Sequence, residues 1–361
     1  MNYYALLVAL VLVTALLMHG YQEKNLKYVV VACLLLFAIY GLRDYHLGDD
    51  VRTSYLGNFW RVQEQTWSEV IANTNGRNML FHLMTKFFSE HISTDYQLYV
   101  SSIAVFVTLC FGHFIYRYSP NPLQSILLHF GLLFFTFHFS HLKQGIAMSI
   151  LLLAFDQIVN RKPIKFVLIV LVAAQFHFPA LVFLPAYWIA KIHPGKFFLI
   201  AMAVLLLLTY IFRSQILNIM ISVYQDEEAN VNLTNVTFLR TKALIMVIIV
   251  IAAAVFRIPT KEDRLYETLL EFMALSIVFQ TFCGYSNVYE RLADYYFQFS
   301  VIFIPMIFDK SEDRESLFNW HVVSIIDSYA PYLFCGFSVY RFLTYVSNDR
   351  FLYPYHFFFQ K

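Results

Sequence analysis

Charge is what this sequence has least of. Only 14% of its 361 residues are Asp, Glu, Lys or Arg, against roughly a quarter in a soluble domain, and that deficit excludes an ordinary soluble enzyme. The 26 basic residues nearly balance the 24 acidic ones, for a net charge of +2, so the basic stripe of a nucleic-acid binder is absent. Glycine and proline number only 11 and 10, which excludes a collagen-like or disordered chain. Cys33, Cys110, Cys283 and Cys335 stand singly inside apolar runs, with no CxxC pair and no His/Cys metal spacing. They read as buried thiols acting as small hydrophobes.

Apolar and aromatic residues fill the space that charge leaves. They make up 59% and 19% of the chain, with 38 phenylalanines, and the mean hydropathy is +0.57. Runs long enough to cross a bilayer, about 17 to 25 residues, occur near 3–18, 28–42, 98–115, 123–138, 143–159, 164–190, 196–212, 242–256, 266–283, 294–308 and 323–344. The first lacks a basic leader and a small-residue cleavage site, so it reads as a retained span. The pattern predicts an all-α polytopic integral membrane protein of about 11–12 transmembrane helices, one transmembrane domain over 1–361 without internal repeats.

The run at 164–190 is too long for one ordinary span and carries Gln175-Phe-His177-Phe-Pro179 at its centre. A proline there breaks or kinks a helix, and two short helices meeting at one membrane face are the expected result. Charge supports the hairpin. With it, and with the amino terminus outside, half of the basic residues fall in inner loops totalling about 47 residues and half in outer segments of about 120, and short loops dominate orientation. One unbroken helix would instead place Lys191, Lys196, Arg257, Lys261, Arg264, Lys310 and Arg314 in short outer loops.

Two outer segments are long. In 43–97, the stretch 78–90 has an apolar stripe at helical spacing and is expected to lie in the membrane interface. Trp60 and Trp67 of this segment either stack on the rings of a ligand or anchor the interface. The second, 213–241, carries Asp226-Glu227-Glu228 and two glycosylation-type triplets at Asn232 and Asn235.

A charged side chain at the bilayer centre costs at least about 2.5–3.5 kcal/mol, so charges beside apolar runs are informative. Four clusters stand out: Arg43 through Arg52, including Asp49 and Asp50; His138 through Gln144, including His141 and Lys143; His177; and Glu290 through Tyr296, including Arg291, Asp294 and Tyr295. The sidedness above puts all four on the outer face. Bland readings stand beside each one. Arg43 and Arg291 could anchor helix ends, Asp49 and Asp50 cap a turn after Gly48, Lys143 snorkel, His177 satisfy a kink, and Tyr295 join an aromatic belt. As a shared site, guanidinium forks at Arg43 and Arg291 suit a diphosphate headgroup. A nearby carboxylate or imidazole would take a proton from an attacking sugar hydroxyl. Ion-coupled transport is disfavoured, because 98–115, 196–212 and 242–256 are almost free of ionisable groups.

These residues carry a resemblance. GLRDYHLGDDVRTSY resembles the Arg…Gly-x-Asp…Tyr signature of the Wzy/EpsG-type polymerases of bacterial O-antigen, capsule and exopolysaccharide. HLKQGIAMSILLLAF is similar to that family's Arg-Gln-x-x-Ala span, AAQFHFPALVFLPAY to its His-containing hairpin, ERLADYYFQFSVIFIP to its Arg-Leu-x-x-Tyr-Phe segment, and LYPYHFFF to its closing Pro-Tyr. The matches keep the family's order over nearly the whole chain.

The resemblance implies a multi-pass glycosyltransferase of GT-C-like architecture in the bacterial cytoplasmic (inner) membrane. Such an enzyme polymerises oligosaccharide repeat units carried on undecaprenyl diphosphate at the outer leaflet and releases polyprenyl diphosphate. It also implies His177 and Asp49 as catalytic residues, and Arg43, Arg52, Lys143, Gln144, Arg291 and Tyr295 as substrate-binding residues. No metal and no cofactor are implied. The lipid-linked oligosaccharide is the partner, together with the bilayer and, in the same pathway, a chain-length regulator and a flippase. Asp49 departs slightly from the family pattern, since this chain reads Gly48-Asp49-Asp50, and Lys143 stands where arginine is usual. A polysaccharide flippase or transporter, a lipid-linked glycan ligase and a membrane O-acyltransferase are the alternatives.

Overall fold

The computed structural model describes residues 2–18, 26–192, 198–224, 241–257, 263–281, 287–309 and 321–360. Each apolar run carries helix, and further helices form outside the runs at 56–64, 67–73 and 213–224. Helices α1 (Tyr3–Met18) and α2 (Leu26–Tyr40) precede a cap of three shorter ones, α3 (Leu56–Glu64), α4 (Trp67–Asn73) and α5 (Met79–His91). Then come α6 (Tyr96–Tyr118), the bent pair α7 (Pro122–Gly131) and α8 (Phe134–Ser140), α9 (Leu142–Val159) and α10 (Pro163–Phe176). The short α11 (Ala186–Ile189) leads to α12 (Phe198–Ile211), α13 (Arg213–Tyr224), α14 (Thr241–Phe256), α15 (Arg264–Gln280), α16 (Asn287–Phe297), α17 (Ser300–Ile307) and α18 (His321–Asn348).

Helices α6 and α9 are each long and apolar enough to cross a bilayer, and α7 with α8 is so as a pair, bent by 53° at the break between them. Helices α1, α2, α10 and α14 are apolar and shorter. The chain is an all-α membrane protein. The acidic patch at 226–228 and the triplets at Asn232 and Asn235 lie outside the described residues.

Helix starts follow local chemistry. Asn121 caps α7 through Gln124 N–H, with Pro122 at the first helical position, where its missing donor costs nothing. Thr66 and Glu69 form a capping box on α4. The bend between α7 and α8 centres on Leu133, whose φ is +67°, a left-handed conformation that a branched side chain seldom adopts.

The hairpin at His177 is present. Tyr187 returns to pack its ring 5.5 Å from that of Phe166, whereas an unbroken helix would separate those two residues by about 30 Å. The returning arm is irregular, a 3-10 segment Phe178–Phe183 followed by α11. The core is largely aromatic. Phe155, Phe183 and Phe272 pack around Phe299 with centroids at 5.0, 5.6 and 5.2 Å, in tilted, stacked and edge-on arrangements respectively.

Residues 78–90 form a helix, and part of its apolar stripe packs on protein. Phe81 and Phe88 are buried, packing on Tyr55 at 5.7 Å and on Tyr99 at 5.2 Å. Phe87 is the large apolar side chain of this helix left exposed.

Candidate functional site

The ends of α2, α8, α10 and α18 and the starts of α6, α9, α14 and α16 meet at one end of the bundle. The segment after α2 is shaped by two residues there. Gly48 has φ +110°, and a Cβ at this position would lie 2.5 Å from the Phe139 carbonyl oxygen. Only glycine lets the chain pass beneath the end of α8. Arg43 is fully buried. Its Nε, Nη1 and Nη2 donate to the carbonyls of Leu47 (3.1 Å), Tyr40 (2.6 Å) and Phe139 (2.8 Å), and its guanidinium lies 4.5 Å from the Phe139 ring centroid. The expectation that Arg43 grips a diphosphate meets this geometry: an enclosed guanidinium spent on backbone carbonyls ties α2, the loop and α8 together.

The carboxy-terminal tail completes the frame. Arg43 pairs with Phe357 in an antiparallel bridge, Phe358 N–H donates to Leu42 O, and Asp44 N–H donates to His356 O. Tyr355 Oη donates to Ile39 O at 2.9 Å. Burial alone would raise the Asp44 carboxyl. Hydrogen bonds from the His46 backbone and ring, the charge of His46 and then that of His356 hold it below the ordinary carboxylate range instead.

Asp49 and Arg52 sit on the rim, half-exposed and 4.0 Å apart. The backbone N–H of Asp49 donates to Ser140 Oγ at 3.2 Å. Asp50 lies 3.7 Å from His141 Nε2, and the Arg52 guanidinium covers the Phe351 ring.

The remaining predicted residues come together at the start of α9, the tip of the hairpin and α16. Lys143 Nζ is held 5.2 Å from the Phe81 ring centroid and 5.9 Å from that of Tyr55. Gln144 Nε2 donates to the backbone carbonyl of Arg291 at 2.9 Å, fixing α16 against α9. His177 Nδ1 is hydrogen-bonded to the hydroxyl of the fully buried Tyr295. The returning arm is tied to its neighbours, with Phe178 N–H donating to Asn78 Oδ1 at 2.8 Å and Tyr296 Oη to Val182 O at 2.8 Å. Arg291 is half-buried, and among the described residues no acceptor takes up its guanidinium. Its charge acts on the rings of both His141 and His177, and that of Lys143 acts on His177.

Beside this group lies a cavity of about 520 Å³. Its polar lining includes Ser140, His141, Lys242, Asp294, Arg341 and Asp349. Lys242 and Asp294 form an ion pair, and Arg341 Nη1 donates to the carbonyl of Gly131. Lys242, Arg341 and Asp349 escaped the sequence reading. Arg341 was findable, because it stands inside the predicted span 323–344 and a cation within an apolar run is itself a flag. Arg43 is not part of this lining; Phe351, which carries Arg52, is.

A second, apolar groove of about 320 Å³ runs between α14 and α18 over α7. It shares Leu132, Thr241 and Ile245 with the polar cavity. Among the described residues, no group of three His, Cys, Asp or Glu side chains is placed to hold a metal ion.

Set against known proteins, residues 26–357 match the model of the EpsG family. No curated protein and no solved structure matches the chain.

Proposed function

Because the chain belongs to the EpsG family, we propose that it is a polysaccharide polymerase that joins oligosaccharide repeat units carried on undecaprenyl diphosphate at the outer face of the bacterial cytoplasmic membrane. The family supports a polymerase-type role in polysaccharide biosynthesis. The lipid carrier, the face and the about 11–12 spans of a GT-C-like architecture are the finer parts of the proposal, as is cooperation with a chain-length regulator and a flippase.

One observation carries the reading: a half-buried guanidinium, that of Arg291, without an acceptor among the described residues, next to a hydrogen-bonded His177–Tyr295 pair. A cation left so at membrane depth suits an anionic ligand, and a fork suits phosphate oxygens. In the proposed reaction His177 Nδ1–H donates to Tyr295 Oη, leaving the lone pair on Nε2. Nε2 takes the proton of the acceptor sugar hydroxyl as its oxygen bonds to the anomeric carbon of the growing glycan. The anomeric carbon–oxygen bond to the carrier breaks, and its electron pair leaves on the diphosphate, which Arg291 and Lys143 stabilise.

Gln144 positions Arg291, while Asp49 and Arg52 orient the incoming glycan from the rim. Arg43 is a positioning residue for that rim. The apolar groove that joins the polar cavity suits the polyprenyl chain of a lipid-linked substrate, whose headgroup would lie in the polar part. The experiment is polymerisation by the purified protein in detergent with lipid-linked repeat units. Wild type is expected to extend them and release polyprenyl diphosphate, and His177→Ala to leave single units. A protein that only translocates lipid-linked units, or only transfers finished polymer to another acceptor, would extend nothing and would refute the reading.

A further inference from the structure

We propose that the opposite end of the bundle carries a binding site for the phosphate of an anionic phospholipid, formed by Arg161, Lys191 and Arg264. A cavity of about 540 Å³ lies there, and these three cations line it from three separate elements: the turn between α9 and α10, the residues after α11, and the first residue of α15. Among the described residues no Asp or Glu lines it. Glu267 lies buried beneath and 3.5 Å from Arg264, whose own side chain remains 41% exposed. The site therefore holds an excess of positive charge.

Two details point to a ligand. Arg161 has φ +55°, in a helix-ending turn closed by Arg161 N–H to Ile158 O and Lys162 N–H to Gln157 O. Glycine fills that left-handed position at lower cost, so the backbone carries strain with an arginine on it, and such strain marks functional positions. Lys191 Nζ is held 4.6 Å from the centroid of the Tyr187 ring, at the cavity wall.

The surroundings favour a lipid over a soluble anion. Val159 and Ile164 flank Arg161 with 45% and 75% of their surfaces exposed, and Trp188 beside Tyr187 is 52% exposed. Bare aliphatic side chains next to an exposed tryptophan mark the level where hydrocarbon gives way to headgroups. The three cations stand at that level, with guanidinium forks for phosphate oxygens and apolar walls at Leu265 and Val159 for the glycerol and the tops of the chains. This inference stands apart from the polymerase reading, because it concerns the other end of the bundle.

The test is native mass spectrometry of the full chain in detergent supplied with phosphatidylglycerol or phosphatidylcholine. One phosphatidylglycerol should be retained in preference, with at least tenfold weaker retention when Arg161, Lys191 and Arg264 are all changed to Ala. A control removing the exposed Lys27, Lys162 and Lys165 from the same end changes the charge equally and should retain the lipid within about twofold, since diffuse attraction is shared by all surface cations. Arg161→Gly guards against a failure to fold: it should raise thermal stability without lipid while lowering lipid retention. Equal loss in the control, no preference over phosphatidylcholine, or undiminished retention by Arg161→Gly would overturn the site. Displacement of the lipid by inorganic phosphate alone would reassign the site to a soluble anion and overturn the lipid.

Discussion

Replacing Arg43 by Met removes three hydrogen bonds at once and leaves the carbonyls of Tyr40, Leu47 and Phe139 inside the protein without that donor. A buried acceptor deprived of its partner costs about 1–3 kcal/mol. Summed over three such carbonyls, a loss on the order of 4 kcal/mol is expected. For a chain of 361 residues that corresponds to a fall of roughly 5 °C in Tm. A thiol-reactive fluorophore reports the transition in detergent, because Cys110 is buried and Cys33 and Cys335 are half-buried in the folded protein. Arg43→Lys should fall between, since one ammonium cannot span three carbonyls. Arg291→Met, by contrast, should keep its Tm within about 2 °C, because it surrenders no hydrogen bond among the described residues. If Arg43→Met melted with the wild type and yet formed no polymer, the guanidinium would belong to the substrate and its assignment as a positioning residue would be wrong.

Other outcomes follow from the same geometry. Tyr295→Phe deletes the hydroxyl bonded to His177 and should slow polymerisation about tenfold, the worth of one hydrogen bond, with Tm little changed; an unaltered rate would remove Tyr295 from the site. Gly131→Val should lower Tm and polymer yield together, because a Cβ there would lie 2.2 Å from Ser338 Cβ and 2.4 Å from its Cα, an overlap that costs about 1–3 kcal/mol or more; normal melting would show that α7 and α18 can part. The Asp44 carboxyl is held below its ordinary range by His46 and His356 despite burial, so its contribution is present above the unfolded value of about 3.9 and is lost as pH falls through the lower folded value. Thermal melts across acid pH should therefore fall more steeply for wild type than for Asp44→Asn, and parallel curves would contradict that linkage.

Much of the fold was legible because membrane helices announce themselves as apolar runs, and the hairpin because Pro179 cannot continue α10. The site was legible only in part. His177 and Tyr295 lie 118 positions apart, and nothing local says that they touch. Their meeting depends on Gln144 holding α16 to α9. Arg43 shows the limit most clearly: a guanidinium that closes a loop on carbonyls and one that grips phosphate look alike beside an apolar run. The pairing of Phe357 and Phe358 with the segment after α2 is equally hidden, since it joins residues at opposite ends of the chain. Arg341 was written plainly inside a span, and it is the residue that a stricter search for intramembrane charge recovers.

The most direct measurement is the length of glycan on a gel from cells lacking this gene, complemented with wild type or with Arg291→Ala. Single-repeat glycans in the deletion and in the variant, beside a ladder restored by wild type, are the predicted result. A ladder that survives the deletion would contradict polymerisation, and one restored by Arg291→Ala would leave the activity standing while contradicting the site.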